Sequence, residues 1–255
     1  MKIIAIANQK GGVGKTTTAV NLSAGLAAKD KKVLLIDLDP QASATSAVGF
    51  QEQPNLSLYP VLLGDNRPLE TFIAPTDYLN LSLLPSEKDL AGIEIEIAQL
   101  ENSIHRLKQI LEPLRLNPTF DFVFIDCPPS LGALMTQALI AADSILIPLQ
   151  CEYLSLEGLS KILSYIERIR QTANPNLQIE GILMTMYDAR TKLSQTVIQE
   201  VKNHLGASLY ETLIPRTIRL GEAPSHGKPI FAYDLHSTGA IAYAALVEEF
   251  LTKQE

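Results

Sequence analysis

Lys15 and Thr16 close a glycine-rich run, Gly11-Gly12-Val13-Gly14, and a second lysine, Lys10, opens it. A polyphosphate needs residues of these types at this spacing. Backbone N–H groups of a flexible loop cradle the phosphates, Lys15 reaches the β/γ-phosphates, and the Thr16 hydroxyl holds Mg2+. Gln9 stands where the strict phosphate-loop pattern wants another glycine. Three aspartates suit the same chemistry. Asp126 ends an apolar run and opens Asp126-Cys127-Pro128-Pro129; a carboxylate there fits a magnesium-holding aspartate. Asp37 and Asp39 stand in Asp37-Leu38-Asp39-Pro40-Gln41. An aspartate at Asp39 can orient an attacking water and accept its proton, with Asp37 supporting the magnesium shell. The plainer alternative is an Asx turn closed by Pro40.

Such residues work only if strands and helices hold them. Residues 3–7 are apolar and partly β-branched, which predicts a buried strand entering the glycine loop. The spacing of Ala19, Leu22 and Leu26 predicts the helix leaving it. A helix N-terminus at that point favours anions. Further strands are expected at 33–36, 79–84, 120–125, 145–149, 179–184 and 208–214. Helical spacing covers 93–114, about 155–171 with Ser155 as N-cap, the stretch up to His204, and 239–251, where Ile241, Ala245 and Leu246 form the expected apolar face. Alternating strands and helices favour a mostly parallel sheet covered on both faces, with ligands at the carboxyl ends of the strands.

The chain of 255 residues suits one α/β domain, and 46% hydrophobic against 19% charged residues is ordinary for a globular protein. It has no apolar run long enough to span a bilayer and starts on a strand with no signal-peptide pattern, so a cytoplasmic location is expected. Cys127 and Cys151 form no CxxC pair; small buried apolar residues are the better reading of both. His204, His226 and His236 lack metal-ligand spacing. A net charge of −7 gives no global attraction to DNA, so any such contact needs a local basic patch.

The run Lys10-Gly-Gly-Val-Gly-Lys15-Thr16 resembles the deviant Walker A loop of the ParA/MinD superfamily of P-loop ATPases. The Asp37-x-Asp39-Pro-Gln41 and Asp126-x-Pro-Pro129 segments resemble its two switches. Residues 150–158 and the block Glu222-Ala-Pro-Ser-His-Gly-Lys228-Pro resemble the ParA/Soj branch, which partitions chromosomes and plasmids. The resemblance spans nearly the whole chain and is weakest over 51–115. It implies an α/β single-domain P-loop NTPase over residues 1–255, with a mostly parallel twisted sheet and helices on both faces. ATP and Mg2+ are the implied cofactors. Lys10, Gly11, Gly12, Val13, Gly14, Lys15, Thr16 and Thr17 would bind the nucleotide, Met186 and Pro215 would line the adenine pocket, and Thr16, Asp126 and Asp37 would serve the metal. Lys10, Lys15 and Asp39 would be catalytic, with Lys10 reaching across an ATP-bound homodimer to the partner's phosphates. Arg190 and Arg219, with Arg216 and Lys228 beside them, would contact non-specific double-stranded DNA of the nucleoid. A ParB-like partner would stimulate hydrolysis. Ala42 and Ser43 replace the Gly-Asn that this family often carries, which bears on how freely the first switch moves.

Three readings follow. The first is an ATP-driven dimerisation switch on DNA. The second is a MinD-like membrane-cycling ATPase, against which Glu248 and Glu249 in the last helix count, because a membrane-surface helix is basic. The third is a metabolic enzyme or iron–sulfur reductase on the same scaffold, disfavoured by the missing cysteine pairs. Ion pairing of the arginines with Asp188 and Glu222 is the plain alternative to DNA contact.

Overall fold

The computed structural model describes residues 1–51, 53, 55–97 and 103–254. Strand β1 (Lys2–Ile6) runs into the glycine loop and helix α1 (Lys15–Ala27), whose Ala19, Leu22 and Leu26 are all buried. Strand β2 (Val33–Asp37) leads to short helices α2 (Ser43–Ala47) and α3 (Leu58–Leu63). Strands β3 (Ala74–Pro75) and β4 (Leu81–Leu84) and helices α4 (Ile93–Ile97) and α5 (Arg106–Leu116) follow. Next come β5 (Phe122–Asp126), α6 (Ala133–Ala141), β6 (Ser144–Gln150), α7 (Leu154–Thr172), β7 (Gln178–Thr185) and α8 (Lys192–Leu205). Helices α9 (Ile218–Glu222), α10 (Ile230–Tyr233) and α11 (Thr238–Thr252) close the chain.

The strands form one sheet in the order β3-β4-β2-β5-β1-β6-β7. Every neighbouring pair is parallel except β3 with β4. Alternate residues of each strand feed different cores, as the strand period of two requires. Ile4 and Ile6 of β1 join α1 and α11 on one face, and Ile3 and Ala5 join α3 to α8 on the other. Phe250 of α11 packs its ring 5.3 Å from Phe122 and 5.8 Å from Phe124, which ties the last helix to the middle of the sheet.

Several expectations change. Ser155 does not cap α7. Tyr153 already has helical dihedrals of −55° and −47° with no side-chain cap, so Ser155 falls inside the first turn, buried, its hydroxyl without a partner among the described residues. Residues 208–214 form no regular strand. The segment touches β7 through Tyr210 N–H to Ile182 O and Ile214 N–H to Met184 O, and between these contacts Tyr210 lays its ring on Gly181, where a Cβ would sit 2.3 Å from the ring. The fourth strand starts at Leu81, leaving Leu79 exposed. In α11 the buried side is Ala240, Tyr243, Leu246, Val247 and Phe250, whereas Ile241 is 62% exposed and Ala245 is exposed. The helix expected over 93–114 is α4 and α5, with 98–102 outside the described residues.

Candidate nucleotide-binding and hydrolysis site

The carboxyl ends of β1, β2, β5, β6 and β7 converge on the glycine loop. Gly12 and Gly14 have φ of +73° and +91°, in the left-handed region that glycine enters without steric cost. Two strand-end side chains hold the loop's carbonyl oxygens. The Gln150 amide donates to Gly12 O at 2.8 Å, and the Thr185 hydroxyl donates to Val13 O at 2.8 Å. The loop N–H groups are then left for an anion at the start of α1. Gly11, Gly12, Gly14, Lys15, Thr16, Thr17, Asp39, Pro129 and Met186 line a cavity of about 240 Å3 there.

The two lysines have different surroundings. Lys15 is buried, and its ammonium donates to Lys10 O at 3.2 Å. Burial lowers its pKa, while Asp126 pulls it the other way. Lys10 lies on the outer edge of the loop. Its backbone N–H donates to Asn8 Oδ1 and its ammonium donates to Glu152 Oε2 at 3.0 Å. Glu152 also faces Arg216, 3.6 Å away. Sequence reasoning gave Glu152 no role, since a lone glutamate in a loop carries no signal.

The β2–β5 register places Asp37 beside Asp126. Both carboxyls are fully buried, and burial above all pushes their pKa values up. Their surroundings then diverge. Among the described residues neither oxygen of Asp126 has a partner at hydrogen-bond distance; the Thr16 hydroxyl, near enough to lower its pKa, and the Lys15 ammonium offset its rise only in part. An orphaned buried carboxylate beside a phosphate-loop threonine fits a divalent cation such as Mg2+, which would satisfy it. Asp37 is already satisfied. It accepts from Asp39 N–H at 3.2 Å, Thr45 N–H at 2.7 Å and the Thr45 hydroxyl at 2.8 Å. Its carboxylate is bonded to α2 and the Asp39 turn, with no oxygen left bare as in Asp126.

That turn is pinned at both ends. The Ser86 hydroxyl donates to Asp39 O at 2.7 Å, and Ser86 N–H donates to the Thr45 hydroxyl at 3.0 Å. The Asp39 side chain, half-buried, reaches the phosphate cavity and accepts from Gln41 N–H at 2.9 Å. The Asx turn and a water-facing carboxylate therefore coexist in one residue. Ala42 takes a left-handed φ of +51° at the cap of α2, a conformation glycine would adopt at lower cost. Beyond α2, Gly49 and Gly227 meet so closely that a Cβ on Gly227 would lie 2.8 Å from Gly49 Cα. The first switch segment thus rests on the block containing Lys228.

Met186 and Pro215 face a second cavity, of about 210 Å3, with Thr17, Ile214, Thr217, Leu220 and Tyr243. Met186 lines both cavities and has a left-handed φ of +52°. Arg216 lines this cavity too, beside the two residues expected to hold the base. Arg190 pairs with Asp188 at 2.7 Å, and Arg219 pairs with Glu222 at 3.0 Å and Asp234 at 3.3 Å. The ion pairs offered as the plain alternative to DNA contact thus exist; the arginines are exposed, so solvent screens the pairs and each contributes little. Lys228 is exposed, with no carboxylate partner among the described residues. Cys127 and Cys151 are both buried, as expected; burial pushes both thiols up, Cys151 to about 11.

Comparison with known proteins agrees with this arrangement. An AAA domain family model matches residues 1–179. The chromosome partitioning protein ParA of Caulobacter vibrioides is 45% identical over 255 residues, covering 100% of this chain and 95% of that protein. The sporulation initiation inhibitor protein Soj of Bacillus subtilis is 49% identical over 249 residues, covering 97% of each. Among solved structures, cobyrinic acid a,c-diamide synthase from Mycobacterium smegmatis with bound ADP and magnesium superposes with a TM-score of 0.82 at 37% identity, covering 100% of this chain and 95% of that one. The curated relatives are the more similar in sequence and both span the glycine loop, the switches and the distal block. The chain belongs to the ParA/Soj family of P-loop partitioning ATPases.

Proposed function

We propose that this chain, acting as one ATPase domain over residues 1–255, is an ATP-driven dimerisation switch that holds DNA without reading its sequence. The position of Lys10 carries the reading. Lys15 serves its own loop from within, whereas Lys10 stands outside the phosphate cavity and its ammonium pairs with the half-exposed Glu152. Tyr153 and Leu154, next to Glu152, are 73% and 68% exposed. A lysine on the rim beside exposed apolar surface suits a second copy seated face to face, with each Lys10 turned to the other's phosphates.

ATP would lie with its base against Met186 and Pro215 and its phosphates on residues 10–17. Thr16 and Asp126 would hold Mg2+, which supplies charge neutralisation at the β/γ-oxygens. Asp39 orients the attacking water and takes its proton; Asp37 holds the Asp39 turn. Hydrolysis would dissolve the dimer. The switch needs only that ATP bind the dimer better than the monomer. A ParB-like partner would speed hydrolysis and choose the cargo. The membrane-cycling alternative gains no support, because α11 faces the core with Tyr243, Leu246 and Phe250 and carries Glu248 and Glu249. Among the described residues no helix is long and apolar enough to cross a membrane.

Lys10→Ala tests the dimer. It should retain ATP binding within roughly three-fold and lose the ATP-dependent doubling of mass in light scattering; a variant that still dimerises fully contradicts the role of Lys10. Arg219→Glu tests the DNA surface. It should weaken DNA retention by roughly ten-fold or more, with a shallower salt dependence, and leave dimerisation intact; unchanged retention assigns Arg219 to its pairs with Glu222 and Asp234 alone.

A further inference from the structure

We propose that Gln150 is a positioning residue that joins the base cavity to the phosphate loop, so that filling one sets the other. The inference rests on the nucleotide reading above and deepens it. Gln150 ends β6 and is 8% exposed. One nitrogen makes two contacts: Nε2 donates to Gly12 O at 2.8 Å and to Met186 Sδ at 3.0 Å. Both partners are acceptors, so the amide has only one sensible orientation, because its oxygen in that place would face a carbonyl and a thioether. Gly12 belongs to the phosphate cavity, and Met186 lines both cavities.

The partner is itself held in an unusual state. Non-glycine residues rarely enter the left-handed region, and Met186 stays there with φ of +52°. Its backbone is fixed by the neighbouring chain, since Tyr187 N–H donates to Ile214 O and Arg216 N–H donates to Tyr187 O. Its side chain is fixed by Gln150. Beside Gln150 in the β6–β7 register stands Thr185, which holds the next loop carbonyl, Val13 O. The two strand ends thus grip consecutive carbonyls of the loop; Thr185 lines the base cavity directly, whereas Gln150 reaches it through the Met186 side chain. A purine seated on Met186 would press the thioether toward Gln150 and so steady the Gly12 carbonyl. Bare polyphosphate would gain none of this.

The test compares MgATP with magnesium tripolyphosphate, which lacks base and ribose, by titration calorimetry on wild type, Gln150→Leu, Met186→Leu and the double variant. Wild type should bind MgATP more tightly; failure to bind MgATP at all refutes the nucleotide reading itself. Gln150→Leu should weaken MgATP by roughly five- to ten-fold, the value of one or two lost hydrogen bonds, and tripolyphosphate by less than half that factor. Met186→Leu keeps the volume and removes the sulfur acceptor; once Gln150→Leu is present it should cost nothing more. Equal weakening of both ligands, or strictly additive losses in the double variant, overturns the proposal. Gln150→Met keeps the side-chain length, adds no charge and cannot donate, and should reproduce the selective loss even if the leucine variant folds poorly; wild-type behaviour of Gln150→Met overturns it too.

Discussion

Replacing Asp39 by alanine should lower ATP hydrolysis by roughly 10²–10⁴-fold, the usual contribution of a positioned acid or base, while ATP binding survives and the ATP-bound dimer accumulates. The geometry separates the carboxylate from the fold. The Asp39 carbonyl is held by Ser86 and its N–H by Asp37, so the backbone keeps its place when the side chain is cut. What leaves is the group that reaches the cavity with Lys15 and Thr16, together with one bond from Gln41 N–H. Asp39→Asn separates those two losses. It still accepts the Gln41 bond but cannot take a proton at neutral pH. If the carboxylate does chemistry, Asn and Ala fail alike in a phosphate-release assay. If Asn restores hydrolysis, Asp39 acts only as a turn residue.

Thr45→Val should destabilise the protein by about 2–4 kcal/mol and lower its melting temperature by roughly 5–12 °C. Valine matches threonine in shape, so packing is kept and only the hydroxyl goes. That hydroxyl donates to Asp37 and accepts from Ser86 N–H, and Thr45, Ser86 and Asp37 are all buried. Its removal leaves a buried carboxylate short of a donor and a buried N–H without an acceptor, each with its full desolvation penalty. Thr45→Ser restores both bonds and should recover most of the loss. Hydrolysis should also drop in Thr45→Val, because Asp37 and Ser86 are the two anchors of the Asp39 turn. A thermal shift within about 1 °C of wild type contradicts this account of the network.

How much of this was legible in the sequence depended on whether the deciding signal was local. Apolar runs ending in a carboxylate marked β2 and β5 because a strand end is where an aspartate can face a ligand, and the glycine spacing marked the loop. Pairing of Asp37 with Asp126 was not local. It came from strand order, which placed β5 between β1 and β2, and from it followed the split into one satisfied and one orphaned carboxylate. Thr45 gave no sign, since a threonine in the Ala- and Ser-rich Ser43–Ala47 helix is unremarkable until Asp37 is seen beneath it. Gln150 was visible only as a polar residue ending an apolar strand. On α11 Leu246 is buried as expected but Ile241 and Ala245 are not, for a simple cause: the helix is apolar or alanine on nearly every side, so its period cannot say which side is buried. Ser155 misled because the chain turns helical two residues earlier, leaving the favoured cap residue inside.

The claim at the centre of this account is that ATP, through the dimer, creates the DNA-binding form. A mobility-shift assay of the purified chain with random-sequence duplex DNA tests it most directly, run at one fixed ionic strength with MgATP, with MgADP and without nucleotide. The account predicts retention with MgATP alone, lost on raising the salt, as phosphate contacts require. Equal retention in all three conditions, or none in any, contradicts it.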